Sequence, residues 1–151
     1  MNRILILYTT TDGHTKVICK KIKNILDETF IVDIHPIQAA TDEWRELYKN
    51  FETVIIGASV RYGKHSKDLY AFINEWTDYL ESVNNNAFFS VNAVARKPDK
   101  NTPETNPYIK KFLELSKWKP KKIAVFAGKL DYPKYRFIDK YMIRLIMWIT
   151  K

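Results

Sequence analysis

Apolar and polar positions along the 151-residue chain alternate between two periods. Ile4-Leu5-Ile6-Leu7-Tyr8 is a continuous apolar run. It gives way to Thr9-Thr10-Thr11-Asp12-Gly13-His14-Thr15, then to Ile18, Ile22, Ile25 and Leu26 at helical spacing. The pattern predicts a buried strand over Arg3–Tyr8, a hydroxyl-rich turn and an amphipathic helix running from near Gly13 to near Glu28. Phe30-Ile31-Val32-Asp33-Ile34, ended by His35-Pro36, predicts a second strand. Thr41-Asp42-Glu43-Trp44 has the threonine cap and acidic first turn of a helix, with Trp44, Leu47 and Tyr48 as its inner face. Thr53-Val54-Ile55-Ile56-Gly57 predicts a third strand covered on both faces, followed by a loop over Ala58–Lys64. From Ser66, the positions Leu69, Phe72, Ile73, Trp76 and Leu80 give the strongest helical period, which Asn84-Asn85-Asn86 ends. Ala87–Val91 is the fourth predicted strand. A polar segment from Arg96 to Thr105 follows, then a helix opened by Asn106-Pro107 that uses Ile109, Phe112, Leu113 and Trp118. Lys122–Gly128 is the fifth strand.

Strands alternating with helices imply an α/β fold: a doubly wound five-stranded parallel sheet with right-handed crossovers, most naturally in the order 2-1-3-4-5. Ligands of such sheets bind at the carboxyl ends of the strands, beside the switch point between strands one and three. The loops meeting there are Thr9–Thr15, Ala58–Lys64 and Asn92–Lys97. In the first of them, backbone N–H groups and threonine hydroxyls converge at the positive end of a helix dipole, which can hold a phosphate without a lysine. The loop lacks the lysine-bearing motif of nucleoside-triphosphate sites, and its single glycine cannot supply a dinucleotide fingerprint. A mononucleotide fits this arrangement better than a dinucleotide. An ordinary threonine-rich turn is the competing reading.

Composition narrows the class. The length and the 46% hydrophobic content suit one globular domain over residues 1–151. The single cysteine, Cys19, cannot form an internal disulfide and reads as a small buried apolar residue in a reducing, cytoplasmic setting. The N-terminus runs straight into a strand, so no secretory leader is expected. The three histidines, His14, His35 and His65, lack metal-ligand spacing, and no metal site is predicted. The net charge of +8 is uneven: residues 1–95 carry 10 Lys/Arg and 12 Asp/Glu, residues 96–151 carry 15 and 5. The basic loop-helix stretch 96–122 and the basic, amphipathic segment 129–151 therefore look built to meet something anionic. No nucleic-acid recognition motif accompanies them, which ranks a simple binding module for an anionic membrane or nucleic acid last.

Three stretches together resemble a known family. They are Tyr8-Thr9-Thr10-Thr11-Asp12-Gly13-His14-Thr15, Val54-Ile55-Ile56-Gly57-Ala58-Ser59-Val60-Arg61-Tyr62-Gly63 and Phe88-Phe89-Ser90-Val91-Asn92-Ala93-Val94-Ala95-Arg96-Lys97-Pro98. They are similar to the flavodoxin-like, quinone-dependent protoporphyrinogen oxidases of bacterial haem biosynthesis, and the similarity extends over essentially the whole chain. The resemblance implies FMN as cofactor, with Thr9, Thr10, Thr11, Asp12, Gly13, His14 and Thr15 around its phosphate. It implies Ser59, Val60, Arg61, Tyr62 and Gly63 along one side of the flavin ring, and Ser90, Val91 and Asn92 along the other. Gly57 and Gly63 are expected to allow close backbone approach to that ring. The implied reaction oxidises protoporphyrinogen IX to protoporphyrin IX and passes electrons to a membrane quinone. A flavodoxin-type electron carrier without a substrate is the alternative, against which the basic second part of the chain argues. No general base stands out, and His14 and His65 are candidate proton relays. Arg61, Lys64, Arg96 and Lys97 are candidate partners for the substrate's carboxylates.

The segment from Phe137 reads as a helix with a narrow polar stripe of Asp139, Lys140 and Arg144. Either it packs on the sheet as the last helix of the fold, or it lies at a membrane interface with Phe137, Met142, Ile146 and Trp148 toward lipid. The second reading is favoured because a lipid-borne quinone is met at a membrane, which implies peripheral association with the inner face of the cell membrane. The resemblance also implies a glycine turn and a further helix beyond Lys151, where this chain stops.

Overall fold

The computed structural model describes residues 2–9, 13–127 and 144–149. Alternation along the first strand, β1 (Arg3–Thr9), sets the layers. Its Leu5 and Leu7 enter one core cluster and Ile4, Ile6 and Tyr8 enter another on the opposite face. A strand buried on both faces must be covered on both, and the remaining elements supply those covers. The strands β2 (Ile31–Pro36), β3 (Thr53–Arg61), β5 (Asn85–Val91) and β6 (Lys122–Phe126) complete a parallel sheet in the order β2-β1-β3-β5-β6. In chain order this is the expected 2-1-3-4-5 arrangement. A two-residue strand, β4 (Lys64–His65), pairs antiparallel with the end of β3.

One face carries α1 (His14–Leu26), which buries Ile18, Cys19, Ile22 and Leu26, and the helical residues 144–149, which bury Leu145 and Ile149. The other face carries α2 (Arg45–Tyr48), α3 (Lys67–Ser82) and α4 (Pro107–Leu115). The predicted period of α3 is fully buried at Leu69, Phe72, Ile73, Trp76 and Leu80. Burying each such side chain contributes about 1.5–3 kcal/mol. Ser66 caps α3 by accepting a hydrogen bond from the Leu69 amide at 3.3 Å.

Four expectations are corrected. β3 does not stop at Gly57 but runs to Arg61, so the predicted loop Ala58–Lys64 is a β-hairpin. The predicted helix at Thr41 is a 3₁₀ turn, Asp42–Trp44, followed by the four residues of α2; Tyr48 is buried but Leu47 is 52% exposed. So short an element has room for one inward residue. Gly57 is needed for packing, because a Cβ there would lie 2.1 Å from Cζ of Phe89. It therefore serves the sheet face and not the approach of a ligand ring.

The fourth correction concerns Asn86, expected only as part of a helix breaker. Its amide nitrogen donates to the carbonyls of Leu80 and Val83, at 3.2 and 3.3 Å. Its oxygen accepts from Trp118 Nε1 at 3.2 Å and from the Lys121 amide at 2.9 Å. One buried side chain thus ties the end of α3 to the approach to β6. Trp118 is buried as expected, beyond the end of α4.

Candidate functional site

Register brings the carboxyl ends of the central strands into one row. Thr9 pairs with Ala58, Ala58 with Ser90, Ser59 with Val91 and Val91 with Phe126. The loop after β1 opens at this row. Thr9 is buried at the strand end, while Thr10, Thr11 and Asp12 lie outside the described residues. Gly13 takes a left-handed φ of 85° at the start of α1, and no side chain caps the helix there. His14 is half-buried in the first turn. Thr15 is fully buried, and its Oγ1 has no hydrogen-bond partner among the described residues.

A buried hydroxyl without a partner costs about 1–3 kcal/mol, and a ligand group that pairs with it would recover that cost. Here it sits at a helix N-terminus on a threonine loop, where the dipole and the amide hydrogens favour an anion. The residues present therefore fit a phosphate group.

The second wall is the hairpin. Its turn is Tyr62-Gly63, with φ of 54° and 78°, the left-handed pair of a tight two-residue hairpin. Glycine adopts this readily, whereas tyrosine does so at a cost of roughly 1–2 kcal/mol. The strain holds a tyrosine ring 87% exposed at the hairpin tip, with the Arg61 guanidinium 5.1 Å from the ring centroid. Ser59 is buried, Val60 half-buried, and Arg61 and Gly63 exposed. Strain concentrated on an exposed aromatic at the mouth of a sheet suits a ring that stacks on a ligand.

The third wall departs from expectation. Ser90, Val91 and Asn92 are all buried, and the polar side chains among them serve each other. Asn92 Nδ2 donates to Ser90 Oγ at 3.0 Å and to Asn106 Oδ1 at 3.3 Å. Asn106 Nδ2 donates back to Asn92 Oδ1 at 3.0 Å and to the Lys100 carbonyl at 2.9 Å. Asn106 also caps α4, accepting from the amides of Tyr108 and Ile109. Their side chains therefore hold the long polar segment onto β5 and do not line an open surface.

His65 joins this network, with Nε2 2.8 Å from Ser90 Oγ. Its ring lies edge-on to Phe88 and Phe112, and burial pushes its pKa down to about 4. A neutral histidine locked beneath the hairpin positions that hairpin and is poorly placed to relay protons. Nothing in the local sequence marks the pairing of His65 with Ser90 or of Asn92 with Asn106. Cys19 is buried among apolar side chains, which raises its thiol pKa far above the usual range, and it is structural.

The four candidate carboxylate partners have different surroundings. Arg61 lies against Tyr62, and Arg96 and Lys97 are exposed on the 3₁₀ turn after Asn92. Lys64 instead enters a groove of about 300 Å³ between β4, α3 and α4, with Lys67, Tyr70, Tyr108, Lys111 and Leu115. Of the four proposed lipid-facing residues, Phe137 and Met142 lie outside the described residues. Ile146 and Trp148 are half-buried against the sheet cluster, and Met147, 62% exposed, is the apolar side chain turned outward there. Burial of Leu145 and Ile149 one turn apart rotates Ile146 and Trp148 toward the sheet. Among the described residues, no helix is long and apolar enough to cross a membrane, and no cluster of potential metal ligands occurs.

Comparison with known proteins agrees with this fold. The flavodoxin domain family matches residues 5–151. The chain is 42% identical over 149 residues, 96% of its own length and 78% of the relative's, to the protoporphyrinogen IX dehydrogenase (quinone) of Escherichia coli strain K12. It is 43% identical over 150 residues, 98% of its length and 63% of the relative's, to the protein of that name from Leishmania major. Among solved structures, oxidised flavodoxin 1 of Bacillus cereus superposes with a TM-score of 0.63 at 12% identity, covering 97% of this chain and 98% of that one. An archaeal flavodoxin superposes with a TM-score of 0.59 at 14% identity, covering 99% of both chains. At such identities the solved structures speak for the fold alone.

Proposed function

We propose, on the premise that this chain belongs to the flavodoxin-domain family of the protoporphyrinogen IX dehydrogenases, that it binds FMN and oxidises protoporphyrinogen IX with a membrane quinone as acceptor, in haem biosynthesis. That it is a flavin-dependent oxidoreductase follows from the family. The FMN part of this reading is supported by the Thr15 hydroxyl at the mouth of the first crossover, buried and without a partner among the described residues; the substrate and acceptor are supported by the names of the relatives. One phosphate ester fits that position, as a mononucleotide flavin requires.

When bound, the flavin supplies the two-electron chemistry. The chain's own residues supply position. Thr9, Thr15 and the start of α1 would hold the phosphate, and the strained, exposed Tyr62 ring at the hairpin tip would offer a stacking surface. The hairpin is kept in place by His65 on Ser90. Arg61, beside Tyr62, would place a positive charge near a ring bound there. The basic segment from Arg96 onward, with exposed Met147 near its end, supports peripheral binding at an anionic membrane surface, where a quinone is met.

The test begins with a visible spectrum of the purified protein and titration with FMN, followed by flavin fluorescence and melting temperature. Anaerobic addition of protoporphyrinogen IX with a water-soluble quinone analogue should then produce porphyrin fluorescence. A colourless protein indifferent to FMN overturns the cofactor assignment. A protein that binds FMN yet leaves the porphyrinogen unchanged is a carrier. Co-sedimentation with anionic vesicles, weakening as salt rises, tests the membrane reading; equal recovery in the supernatant at every salt concentration overturns it.

A further inference from the structure

The groove behind the hairpin shares His65 with the anchor of that hairpin, and its other lining residues are not used by the phosphate and ring positions described above. Lys64 enters it from β4, Lys67 from the first turn of α3 and Lys111 from α4. All three are exposed, none makes an ion pair or hydrogen bond among the described residues, and no Asp or Glu lines the groove. Three unpaired ammonium groups around one concavity repel each other and concentrate anions between them. The surface they surround is not polar. Tyr70 and Tyr108 are half-buried there, and Leu115 is left 55% exposed.

A bare phosphate would use the cations and leave the aromatic surface idle. An apolar macrocycle bearing carboxylates uses both. The hairpin connects this groove to the ring-binding wall directly, since Lys64 follows the Tyr62-Gly63 turn.

We infer that the groove between β4, α3 and α4 takes the carboxylate-bearing edge of a tetrapyrrole, with Lys67 and Lys111 as carboxylate partners and Tyr70, Tyr108 and Leu115 against the pyrrole rings. The inference rests on the substrate proposed above and moves its carboxylates to the β4 side of the hairpin, away from Arg96 and Lys97.

The flavin-loaded protein is titrated with a stable porphyrin diacid, with the dimethyl ester of that porphyrin, and with inorganic phosphate as competitor. The parent binds the diacid, and K67Q/K111Q weakens that binding roughly three- to tenfold while leaving ester and flavin affinities unchanged. K20Q/K117Q, which removes the same charge elsewhere, leaves diacid binding as it was. Equal diacid affinity in K67Q/K111Q and the parent overturns the groove but leaves the substrate standing. An equal loss in K20Q/K117Q overturns it too, because the effect is then one of overall charge. Phosphate displacing the diacid as effectively as the ester fails to bind identifies a simple anion site and removes the aromatic contacts. A parent that neither binds the diacid nor oxidises the porphyrinogen overturns the substrate reading itself.

Discussion

The imidazole of His65 on β4 and the hydroxyl of Ser90 on β5 lie 2.8 Å apart in a buried contact spanning 25 residues of sequence. Through it the hairpin carrying Tyr62 is anchored to the network of Asn92 and Asn106 that holds the long polar segment. Two walls of the site are thus fixed by one polar cluster.

Acid should loosen this anchor. Burial lowers the His65 pKa from 6.5 to about 4, so the fold holds the ring neutral. Between those values the unfolded chain takes up a proton that the folded chain refuses, and stability falls as pH drops through the window. The full loss is at most about 3 kcal/mol. Urea midpoints should decline from pH 6.5 to 5 in the parent, and H65Q should flatten that slope. An unchanged slope in H65Q would contradict the assignment.

Thr15→Val tests the phosphate reading without disturbing shape. The swap removes a buried hydroxyl that has no partner among the described residues. The flavin-free protein should be as stable as the parent or slightly more so. FMN affinity should fall by about 1.5–3 kcal/mol, the worth of a hydrogen bond to a charged group. Flavin fluorescence titration and a melting curve measure the two effects separately.

At the hairpin tip, stability and binding should move in opposite directions. Asparagine accepts the left-handed conformation that Tyr62 occupies at φ 54°, so Y62N should raise stability by about 0.5–1 kcal/mol. The same change removes an exposed ring and should weaken FMN binding and its fluorescence quenching. Tighter or equal binding in Y62N would remove Tyr62 from the site.

Gly57→Ala should be costly through packing alone. The added methyl meets the Phe89 ring at 2.1 Å, and overpacking of this kind costs about 1–3 kcal/mol. A second substitution, Phe89→Leu, should recover part of the loss, giving a coupling measurable in a double-mutant cycle. Additive losses would mean that the two sites relax independently.

Much of this protein is legible from its local pattern. The run Ile4–Tyr8, the period of Leu69, Phe72, Ile73, Trp76 and Leu80, and the caps Ser66 and Asn106 are each set by residues within a few positions of one another. Strand and helix periods are short-range properties, so element order and the doubly wound sheet follow from them. The row of loops at the carboxyl ends follows in turn, since it depends only on strand direction and order.

The extension of β3 into a hairpin, the turning inward of Ser90 and Asn92, the packing demand on Gly57 and the meeting of Lys64, Lys67 and Lys111 were decided by the tertiary structure. Each depends on a partner from a distant part of the chain: His65 on Ser90, Asn106 on Asn92, Phe89 on Gly57, α4 on β4. Sequence by itself determined which residues are apolar and with what period. Which polar side chain is consumed by a neighbour and which is left for a ligand is a matter of three-dimensional hydrogen-bond satisfaction, and only the folded chain settles it.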